Sequence, residues 1–434
     1  MMPRILYTLV YALCLPLILL RLLWRSRLAP AYRHRWLERF GIFAPPRVNR
    51  EQPIIWLHAV SVGEVLAAVP LVKSLQKKHT QWQWVLTSTT PTGSERVKAV
   101  FADDVFHVYA PYDLPFFVRQ FLRHVKPSLL IVMETELWPN LLHVCKTQQI
   151  PSIVANARLS EKSCRGYARF APLTRTMLDD VSLVAAQQHA DGMRFLALGL
   201  SPAKLHITGS IKFDLLLDDA IRAQAAVLRA QWTLQDRRAV WLAASTHPSE
   251  ESVVLAAFSA LKKQFPDLLL VLVPRHPERF SPVAAQCEAA GWRVLRRSSG
   301  KAASLETDVV LGDSMGELLV FYGAANMAFV GGSLVPVGGH NLIEPAAWAC
   351  PVISGSHLFN FAEVARLLDA EQALIRVENS EELAVAVARY MINKQEATHA
   401  GLNAQRVVEQ HRGALVCLCA VIESSLLPVN GRSP

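Results

Sequence analysis

Three strand-to-helix junctions in the last third of the chain decide its fold class: "LVPRHPERF" (residues 272–280), "GDSMGELLVFYGAANMAFVGG" (residues 312–332) and "GGHNLIEPAAWACPVISG" (residues 338–355). They place a basic residue, a polar helix start and a glycine-rich turn with an acidic residue where strands end. In an open α/β sheet, ligands bind outside the carboxyl ends of the strands, where helix N-termini offer free N–H groups to anions. The three junctions therefore predict a nucleotide pocket.

Short β-rich runs alternate with helical runs on both sides of a polar stretch, residues 214–238. Before it the pattern predicts seven strands, in "IIWLHAV", "WQWVLTST", "VFHVYAP", "LLIVMET", "SIVANAR", "SLVAAQ" and "LHITGS". After it the pattern predicts seven more, in "VWLAAST", "LLLVLVP", "WRVLRR", "VVLGD", "MAFVGG", "PVISG" and "ALIRV". Strands that alternate with crossover helices form parallel sheets covered on both faces. The predicted fold is α/β, with two Rossmann-like domains facing a central cleft.

The length of 434 residues also favours two domains, because it exceeds the usual size of one hydrophobic core. We predict a membrane anchor with a basic juxtamembrane segment at residues 1–45 and an N-terminal domain at residues 46–214. An interdomain hinge follows at residues 215–238, and a C-terminal domain at residues 239–434. The last helix, around "ALVCLCAVIESSLL", is a candidate to pack back on the N-terminal domain.

An apolar run leads into a basic segment at the N-terminus. No charged residue lies between Arg4 and Arg21, and residues 21–50 contain eight arginines, no lysine and one acid, Glu38. As a helix, the 16 uncharged residues span about 24 Å, which is short of the roughly 30 Å hydrocarbon core. The helix therefore either just crosses, with its arginines reaching the interface, or lies half-inserted in one leaflet.

The arginine block predicts that the remainder of the protein stays on the cytoplasmic side of the membrane. A cleaved signal peptide is the alternative, but no small-x-small cleavage site follows the apolar run. The net charge of +9 comes mainly from this one segment. A nucleic-acid groove needs basic residues throughout the folded body, so the charge argues against a nucleic-acid partner.

Acidic residues follow two of the predicted strands in the first half. Glu64 falls in the first helical turn after "HAVSVG", where it either caps the helix or acts as a general base. Glu134 and Glu136 end the apolar strand "LLIVM", where a carboxylate is costly unless it is paired or functional. Lys212 is a candidate partner for Asp214 or for a substrate anion, and a solvated lysine is the alternative.

The second half offers groups for anions and for a ribose. Arg275, after Pro274, can present its guanidinium to a phosphate or carboxylate, and His276 either joins it or caps the turn. Ser314 is predicted to cap a helix, with the N–H groups of Met315, Gly316 and Glu317 pointing outward. Residues 341–344 open the next helix, where Glu344 can accept both hydroxyls of a ribose. The candidate set here is Pro274, Arg275, Met315, Gly316, Glu317, Asn341, Leu342, Ile343 and Glu344.

The sequence contains no GxGxxG, Walker A or HExxH motif, and its fourteen histidines do not cluster at ligand spacing. We therefore expect no metal, no dinucleotide and no other cofactor.

The chain resembles the lipid A Kdo (3-deoxy-D-manno-octulosonic acid) transferases of Gram-negative bacteria. The strings that carry this resemblance run through nearly the whole length: "APAYRHRWLERFG", "SVGE", "TPTGSERV", "YDLP", "METELWPN", "NARLS", "TGSIKFD", "STHPSEE", "VPRHPERF", "GDSMGELL", "AFVGGSLV", "GGHNLIEPA" and "FNF". One departure is Leu342, where many members are expected to carry proline.

The resemblance implies a GT-B type fold and inverting transfer of Kdo from CMP-Kdo onto the glucosamine disaccharide of the lipid A precursor, at the inner membrane surface with its anionic lipid. It makes the N-terminal domain the acceptor domain and the C-terminal domain the CMP-Kdo domain. It also implies that Glu64 is the base, that Glu134 and Lys212 stabilise the transition state, and that the second-half set binds CMP. Two alternatives stay open: another sugar-nucleotide transferase or epimerase, and a non-catalytic membrane-bound scaffold.

Overall fold

The computed structural model describes residues 2–46 and 49–426. The described chain divides into two compact units, one formed by residues 2–214 and 412–426 and the other by residues 215–411. Residues 1, 47, 48 and 427–434, which belong to the predicted anchor, N-terminal and C-terminal ranges, lie outside the described residues.

Fourteen strands are present in the described residues, seven in each unit. They are β1 (Ile54–His58), β2 (Gln83–Ser88), β3 (Phe106–Tyr109), β4 (Leu129–Met133), β5 (Ser152–Ala157), β6 (Leu183–Ala186), β7 (Leu205–Ile207), β8 (Val240–Thr246), β9 (Leu269–Pro274), β10 (Val294–Arg296), β11 (Val309–Leu311), β12 (Met327–Val330), β13 (Val352–Ser354) and β14 (Leu374–Arg376).

Helices connect these strands. In chain order they are α1 (Met2–Leu28), α2 (Val62–Lys78), α3 (Pro91–Phe101), α4 (Pro115–Val125), α5 (Pro139–Thr147), α6 (Glu161–Ala168), α7 (Ala171–Asp180), α8 (His189–Ala197), α9 (Asp219–Trp232), α10 (Glu250–Gln264), α11 (Phe280–Ala289), α12 (Leu318–Ala324), α13 (Ile343–Ala347), α14 (Ala362–Ala370), α15 (Ser380–Ile392), α16 (Lys394–Gln410) and α17 (Ala414–Leu426). Short 3₁₀ turns lie at Pro30–Arg33, Trp36–Phe40, Pro202–Lys204, Ile211–Phe213, Pro277–Arg279 and Arg297–Ser299.

Each unit contains one parallel sheet of seven strands. The order in the first is β3-β2-β1-β4-β5-β6-β7, and in the second it is β10-β11-β9-β8-β12-β13-β14. Side chains alternate between the two faces of a strand, so Ile55 and Leu57 enter one core of the first sheet while Trp56 enters the other. The prediction of two Rossmann-like domains with an N-terminal apolar helix is confirmed.

The polar stretch that separates the two series of strands is mostly helical. Within it, α9 packs against α12 of the second unit, and Trp232 of α9 lies 5.2 Å from Phe321 between ring centroids. The assignment of residues 215–238 as a hinge stays a prediction.

The last described helix, α17, belongs to the first unit. Its residues Ala414, Leu418 and Ile422 are buried in the same core as Val65 and Leu71 of α2. At its start, the Asp214 carboxylate accepts the backbone N–H groups of Gly413 and Leu415, both at 2.6 Å. This cap links the two segments of the first unit. Asp214 is the last residue of the longer segment, and Gly413 and Leu415 lie in the segment that returns after residue 411.

Removing this cap is expected to destabilise α17 and to leave the other helices unaffected. D214A leaves two N–H groups at the helix start without their acceptor, which costs about 1 kcal/mol in the free energy of unfolding. Hydrogen exchange should therefore accelerate at the amides of α17. The matched control is D218A, because the Asp218 carboxylate caps α9 in the same way through the Ile221 N–H at 2.8 Å. Unchanged exchange in α17 of D214A would contradict the assignment.

Candidate functional site

The acidic residues of the first unit lie at the carboxyl edge of its sheet. Strands β1 and β4 are hydrogen-bonded neighbours, so the segments that leave them run side by side. Glu64 follows β1 in the first turn of α2, and Glu134 and Glu136 follow β4 directly. The structure therefore brings together the three carboxylates that the sequence predicted for this half.

Glu64 is held tightly from both sides. It is 8 % exposed. One oxygen accepts the Val60 N–H at 2.8 Å and the other accepts the Ser61 hydroxyl at 2.6 Å, while the Ser61 hydroxyl oxygen accepts the Glu64 N–H at 3.2 Å. This arrangement resembles a capping box, except that the carboxylate accepts the N–H of Val60, the residue before the N-cap Ser61. These bonds fit the interpretation of Glu64 as a residue that stabilises the start of α2, and they leave the catalytic interpretation open because they also fix the carboxylate in place.

Burial decides the proton affinity of Glu64. It raises the pKa of this carboxyl to about 7, although the hydrogen bonds from Ser61 and Val60 act in the opposite direction. The negative charges of Glu136 and Glu134 also contribute to this raised pKa of about 7. A carboxyl group with a pKa near the pH of the cell exchanges protons readily, which is the property a general base needs.

Glu134 and Glu136 sit in a constrained segment. Glu134 has φ of 55°, in the left-handed region that non-glycine residues rarely adopt, and such a conformation costs about 1–3 kcal/mol. Its N–H donates to Ala155 on the neighbouring strand β5 at 3.0 Å. Glu136 accepts the Trp138 indole N–H at 3.0 Å, and burial raises its pKa. Strain held by surrounding structure clusters at functional sites, so this segment is a candidate for one.

Lys212 lies in the 3₁₀ turn Ile211–Phe213, which packs on α2, the helix that carries Glu64. Ile211 is buried in the core beneath α2, and Lys212 itself is half-buried. The carboxylate of Asp214, which the sequence suggested as a partner for this lysine, accepts two backbone N–H groups at the start of α17.

In the second unit, the predicted anion-binding segments also meet at one sheet edge. Strands β11, β9, β8 and β12 are consecutive in the sheet. The loops after them carry, respectively, Gly312 to Glu317, Arg275 with His276, His247, and the glycine-rich turn at Gly331 and Gly332. The carboxyl edge of this sheet therefore gathers the basic residue and the glycine turn that the sequence predicted.

Glu250 shapes this edge and was not among the residues predicted from the sequence. Its fully buried carboxylate accepts N–H groups from His247, Gly332, Ser333 and Leu334 at 2.9, 2.7, 2.9 and 2.9 Å. The glycine turn passes so close that a Cβ on Gly331 would lie 2.9 Å from the same carboxylate. The available signal was the acid in the first helical turn after β8, the same arrangement as Glu64 after β1.

Two histidines contact each other beside Arg275. The Nε2 atoms of His247 and His340 lie 2.9 Å apart, and the ring of His276 stands edge-on to His247 at 5.4 Å. Burial, together with the nearby charge of Arg275, lowers the pKa of His340 to about 4. His340 is therefore neutral at pH 7, and Arg275 lies close enough to act on it.

Residues 341–344 form a compact turn next to that arginine. Asn341 accepts the Ile343 N–H at 3.0 Å and donates to Glu344 at 3.1 Å. Burial raises the pKa of Glu344, whereas the hydrogen bond from Asn341 and the charge of Arg275 lower it. The side chains of Leu342 and Ile343 are fully buried, so only their backbone can meet a ligand.

The segment around Met315 differs from the prediction. Helix α12 begins at Leu318, and its N-cap position is Glu317, so Ser314 does not cap it. Ser314 instead donates its hydroxyl to Glu317, which also binds Arg297 at 2.7 Å. Burial alone would raise the pKa of Glu317, but these two hydrogen bonds outweigh it and the pKa is lowered. The helix starts late because Gly316, at φ of 85°, breaks the helical path.

Two further predicted residues border this region. Pro274 is buried at the end of β9, and Met315 is 64 % exposed. Glu317 lines an open cavity of about 620 Å³ together with Arg297, Lys301 and Gln224. Among the residues that the structure describes, no group of three or more His, Cys, Asp or Glu side chains is placed to hold a metal ion. The absence of a metal stays a prediction.

Comparison with known proteins identifies the family. The sequence profile described as "3-Deoxy-D-manno-octulosonic-acid transferase (kdotransferase)" matches residues 34–215. The 3-deoxy-D-manno-octulosonic acid transferase of Haemophilus influenzae is 44% identical over 426 residues, which cover 98% of this chain and 99% of that protein.

Solved structures of low sequence identity share the fold. A glycosyltransferase from Rickettsia africae is 15% identical with a TM-score of 0.56, and the match covers 87% of this chain and 100% of that one. The UDP-GlcNAc 2-epimerase of Neisseria meningitidis is 13% identical with a TM-score of 0.54, covering 86% and 99%. These two likenesses concern architecture alone, whereas the match to the Haemophilus protein extends over nearly the whole of both chains. The chain belongs to the 3-deoxy-D-manno-octulosonic acid transferase family.

Proposed function

We propose that this protein transfers Kdo from CMP-Kdo to a hydroxyl of the glucosamine disaccharide of the lipid A precursor, with inversion at the sugar. The observation that carries the proposal is Glu64, a buried carboxylate with a pKa of about 7 inside the segment that matches the family profile. Family membership favours this transfer over the two alternatives, a different sugar-nucleotide enzyme and a scaffold without activity. Similarity to the epimerase concerns the fold alone and does not favour epimerisation.

The proposed reaction is a single displacement. Glu64 accepts the proton of the acceptor hydroxyl as its oxygen bonds to the anomeric carbon of Kdo. The bond from that carbon to the phosphate oxygen breaks, and its electron pair leaves with CMP. Glu134 and Lys212 are proposed to stabilise the transition state.

The second unit is proposed to hold the donor. Arg275, exposed at the end of β9, offers a guanidinium to the phosphate, and the N–H groups of Met315, Gly316 and Glu317 offer further donors. Glu344 is proposed to accept the hydroxyls of the ribose, with Asn341 holding it in place. Pro274, Leu342 and Ile343 complete the proposed CMP-binding set. A leaving phosphate stabilised by fixed cations and N–H groups does not itself demand a divalent ion.

Membrane attachment is the last part of the proposal. Residues 2–27 form a helix long and apolar enough to cross a membrane, with a mean hydropathy of 2.1. Exposed Arg21, Arg25 and Arg27 follow its apolar run, and each basic residue near an anionic surface contributes about 1 kcal/mol of attraction. We infer that this helix holds the protein on the cytoplasmic face of the inner membrane, where a lipid-linked acceptor is available.

Replacing Glu64 tests the proposed base. E64Q keeps the size of the side chain and one acceptor for the Val60 N–H, but cannot take a proton. We expect kcat to fall by about 10²–10⁴-fold while the Kd for CMP stays unchanged, because the proposed CMP segments belong to the other unit. Product formation from CMP-Kdo and lipid A precursor, followed by mass spectrometry, measures the first quantity, and calorimetry the second. Activity within tenfold of the native protein would exclude Glu64 as the base.

The pH profile provides an independent test. Glu64 must be ionised to accept a proton, so kcat/KM should decline as the pH falls through its pKa of about 7. Because the negative charge of Glu136 helps to raise that pKa, E136Q should move the acidic limb to lower pH. An acidic limb that keeps its position in E136Q would show that another group controls it.

A third experiment addresses the donor site. R275A should weaken CMP binding about tenfold or more, since a hydrogen bond to a charged group contributes about 1.5–3 kcal/mol. The matched control is R279A, which removes a nearby arginine that instead pairs with Glu251 at 3.6 Å. Binding of the lipid acceptor should not change in either variant. Equal losses for CMP and acceptor in R275A would indicate a folding defect and contradict the assigned role.

A further inference from the structure

We propose that α1 does not cross the bilayer but lies within one leaflet, with one side fixed to the first unit and the opposite side in the hydrocarbon. This inference rests on the membrane attachment proposed above and specifies its geometry. It follows from contacts at both ends of the helix and from the two different sides that the helix presents.

The N-terminal part of α1 is attached to the first unit by hydrogen bonds between polar side chains. The Tyr7 hydroxyl donates to Asp113 at 2.9 Å, and the Thr8 hydroxyl lies 3.0 Å from the side-chain oxygen of Asn140. Asp113 is 2 % exposed and Asn140 is fully buried. We call Tyr7, Thr8, Asp113 and Asn140 the clasp. Buried polar groups need their partners, so the clasp opposes withdrawal of this end from the protein.

The clasp is built into the body of the first unit. The Asp113 carboxylate also accepts the N–H groups of Asn140 at 3.1 Å and Leu141 at 2.7 Å, at the start of α5. The Asn140 amide donates back to the carbonyl of Asp113 at 2.8 Å. Leu141 is fully buried in the main core. Helix α1 therefore docks on a rigid element, and it packs on both α5 and α7.

The segment that leaves the other end of α1 is fixed to the same unit. Arg33 donates to Ser26 at 3.3 Å, and the 3₁₀ turn Trp36–Phe40 follows. In that turn, Glu38 accepts the Tyr109 N–H at the end of β3 and Arg39 donates to the Thr89 carbonyl, both at 2.8 Å. A 27-residue helix is about 40 Å long, and a spanning helix has its ends on opposite sides of a roughly 30 Å core. Both ends cannot contact one folded unit if the helix crosses between them.

The two sides of α1 differ in their surroundings. Half-buried residues recur at helical spacing along one side, at Arg4, Thr8, Tyr11, Leu15, Ile18 and Leu22. The opposite side exposes large apolar residues along its whole length, namely Ile5, Leu6, Leu9, Val10, Leu13, Leu17, Leu20, Leu23 and Trp24. An exposed apolar surface of this extent marks a membrane or protein contact.

The chemistry around this apolar side favours lipid over a second copy of the chain. Arg21, Arg25 and Arg27 are exposed at its end. Two copies joined along this side would bring such charges together, whereas anionic headgroups would neutralise them. An in-plane helix with apolar residues on one side and arginines at the headgroup level matches the behaviour of interfacial helices.

Labelling with a membrane-impermeant maleimide tests the topology in native membranes. The variant C14A/M2C places one thiol at the exposed start of α1, and native Cys417, exposed on α17, reports the side on which the first unit lies. We expect both thiols to react in inside-out vesicles and neither to react in intact spheroplasts. Reaction of the M2C thiol in spheroplasts alone would show that the helix crosses, and would overturn the proposal.

Two additional variants sharpen the result. Y7F/T8V removes both clasp hydroxyls but keeps the helix apolar, so hydrogen exchange at the amides of Asn140 and Leu141, which donate to Asp113, should become several-fold faster. L13V on the exposed side is the matched control and should leave the rate unchanged. Equal rates in the clasp variant and its control would argue against docking.

The native Cys14, exposed on α1, tests whether a second copy of the chain covers the apolar side in place of lipid. Rapid oxidative dimerisation through this thiol at low protein density would show that a second copy covers the apolar side, and would overturn the assignment to lipid. Recovery of the full chain in the soluble fraction is a separate result. It would overturn the membrane attachment itself, and it leaves the transfer activity to be judged by the E64Q experiment.

Discussion

Buried carboxylates that accept backbone N–H groups at the ends of parallel strands hold the candidate site of each unit together. In the first unit Glu64 fixes the segment between β1 and α2, and in the second Glu250 fixes the glycine turn after β12. Loops at strand ends have little regular hydrogen bonding of their own, so a single acid can determine their path. Each such bond to a charged group contributes about 1.5–3 kcal/mol, which is enough to keep these loops ordered.

The two acids differ in how far their hydrogen-bonding capacity is used. Glu250 is fully buried and accepts four N–H groups, so its charge is well compensated and its role is structural. Glu64 accepts one N–H and one hydroxyl and keeps slight exposure, with two further carboxylates nearby. The sequence alone suggested a conflict, because a helix N-terminus lowers the pKa of an acid whereas a base benefits from a higher one. In the folded protein, burial outweighs the helix effect, so the same residue can cap α2 and still bind a proton near neutral pH.

The sheets could be predicted from sequence because the information is local. Most of the fourteen predicted strands are short apolar runs bounded by turn residues, and all fourteen are present. The predicted start of α12 was wrong for two reasons. Gly316 breaks the helical path, and the Ser314 hydroxyl donates to Glu317, which pairs with Arg297 twenty residues away in sequence. Glu250 was not predicted because its role is to accept N–H groups from a turn that lies more than eighty residues away in sequence. The clasp joins residues separated by 106 and 132 positions, and no local pattern reveals such a pairing.

The clasp and the acidic segment share a stretch of chain, and this connects membrane docking with chemistry. Asn140 of the clasp lies four residues after Glu136, at the start of the helix that leaves this segment, and Tyr167 of α6 approaches the Thr135 carbonyl at 3.5 Å. In the proposed placement, a helix that lies in the leaflet and is fixed to Asp113 and Asn140 would hold the carboxyl edge of β4 close to the lipid surface. An acceptor with acyl chains can remain in the membrane while its sugar reaches that edge, so no energy is spent on extracting the chains. For each CH₂ left in the membrane, the proposed placement would avoid a cost of about 0.8 kcal/mol.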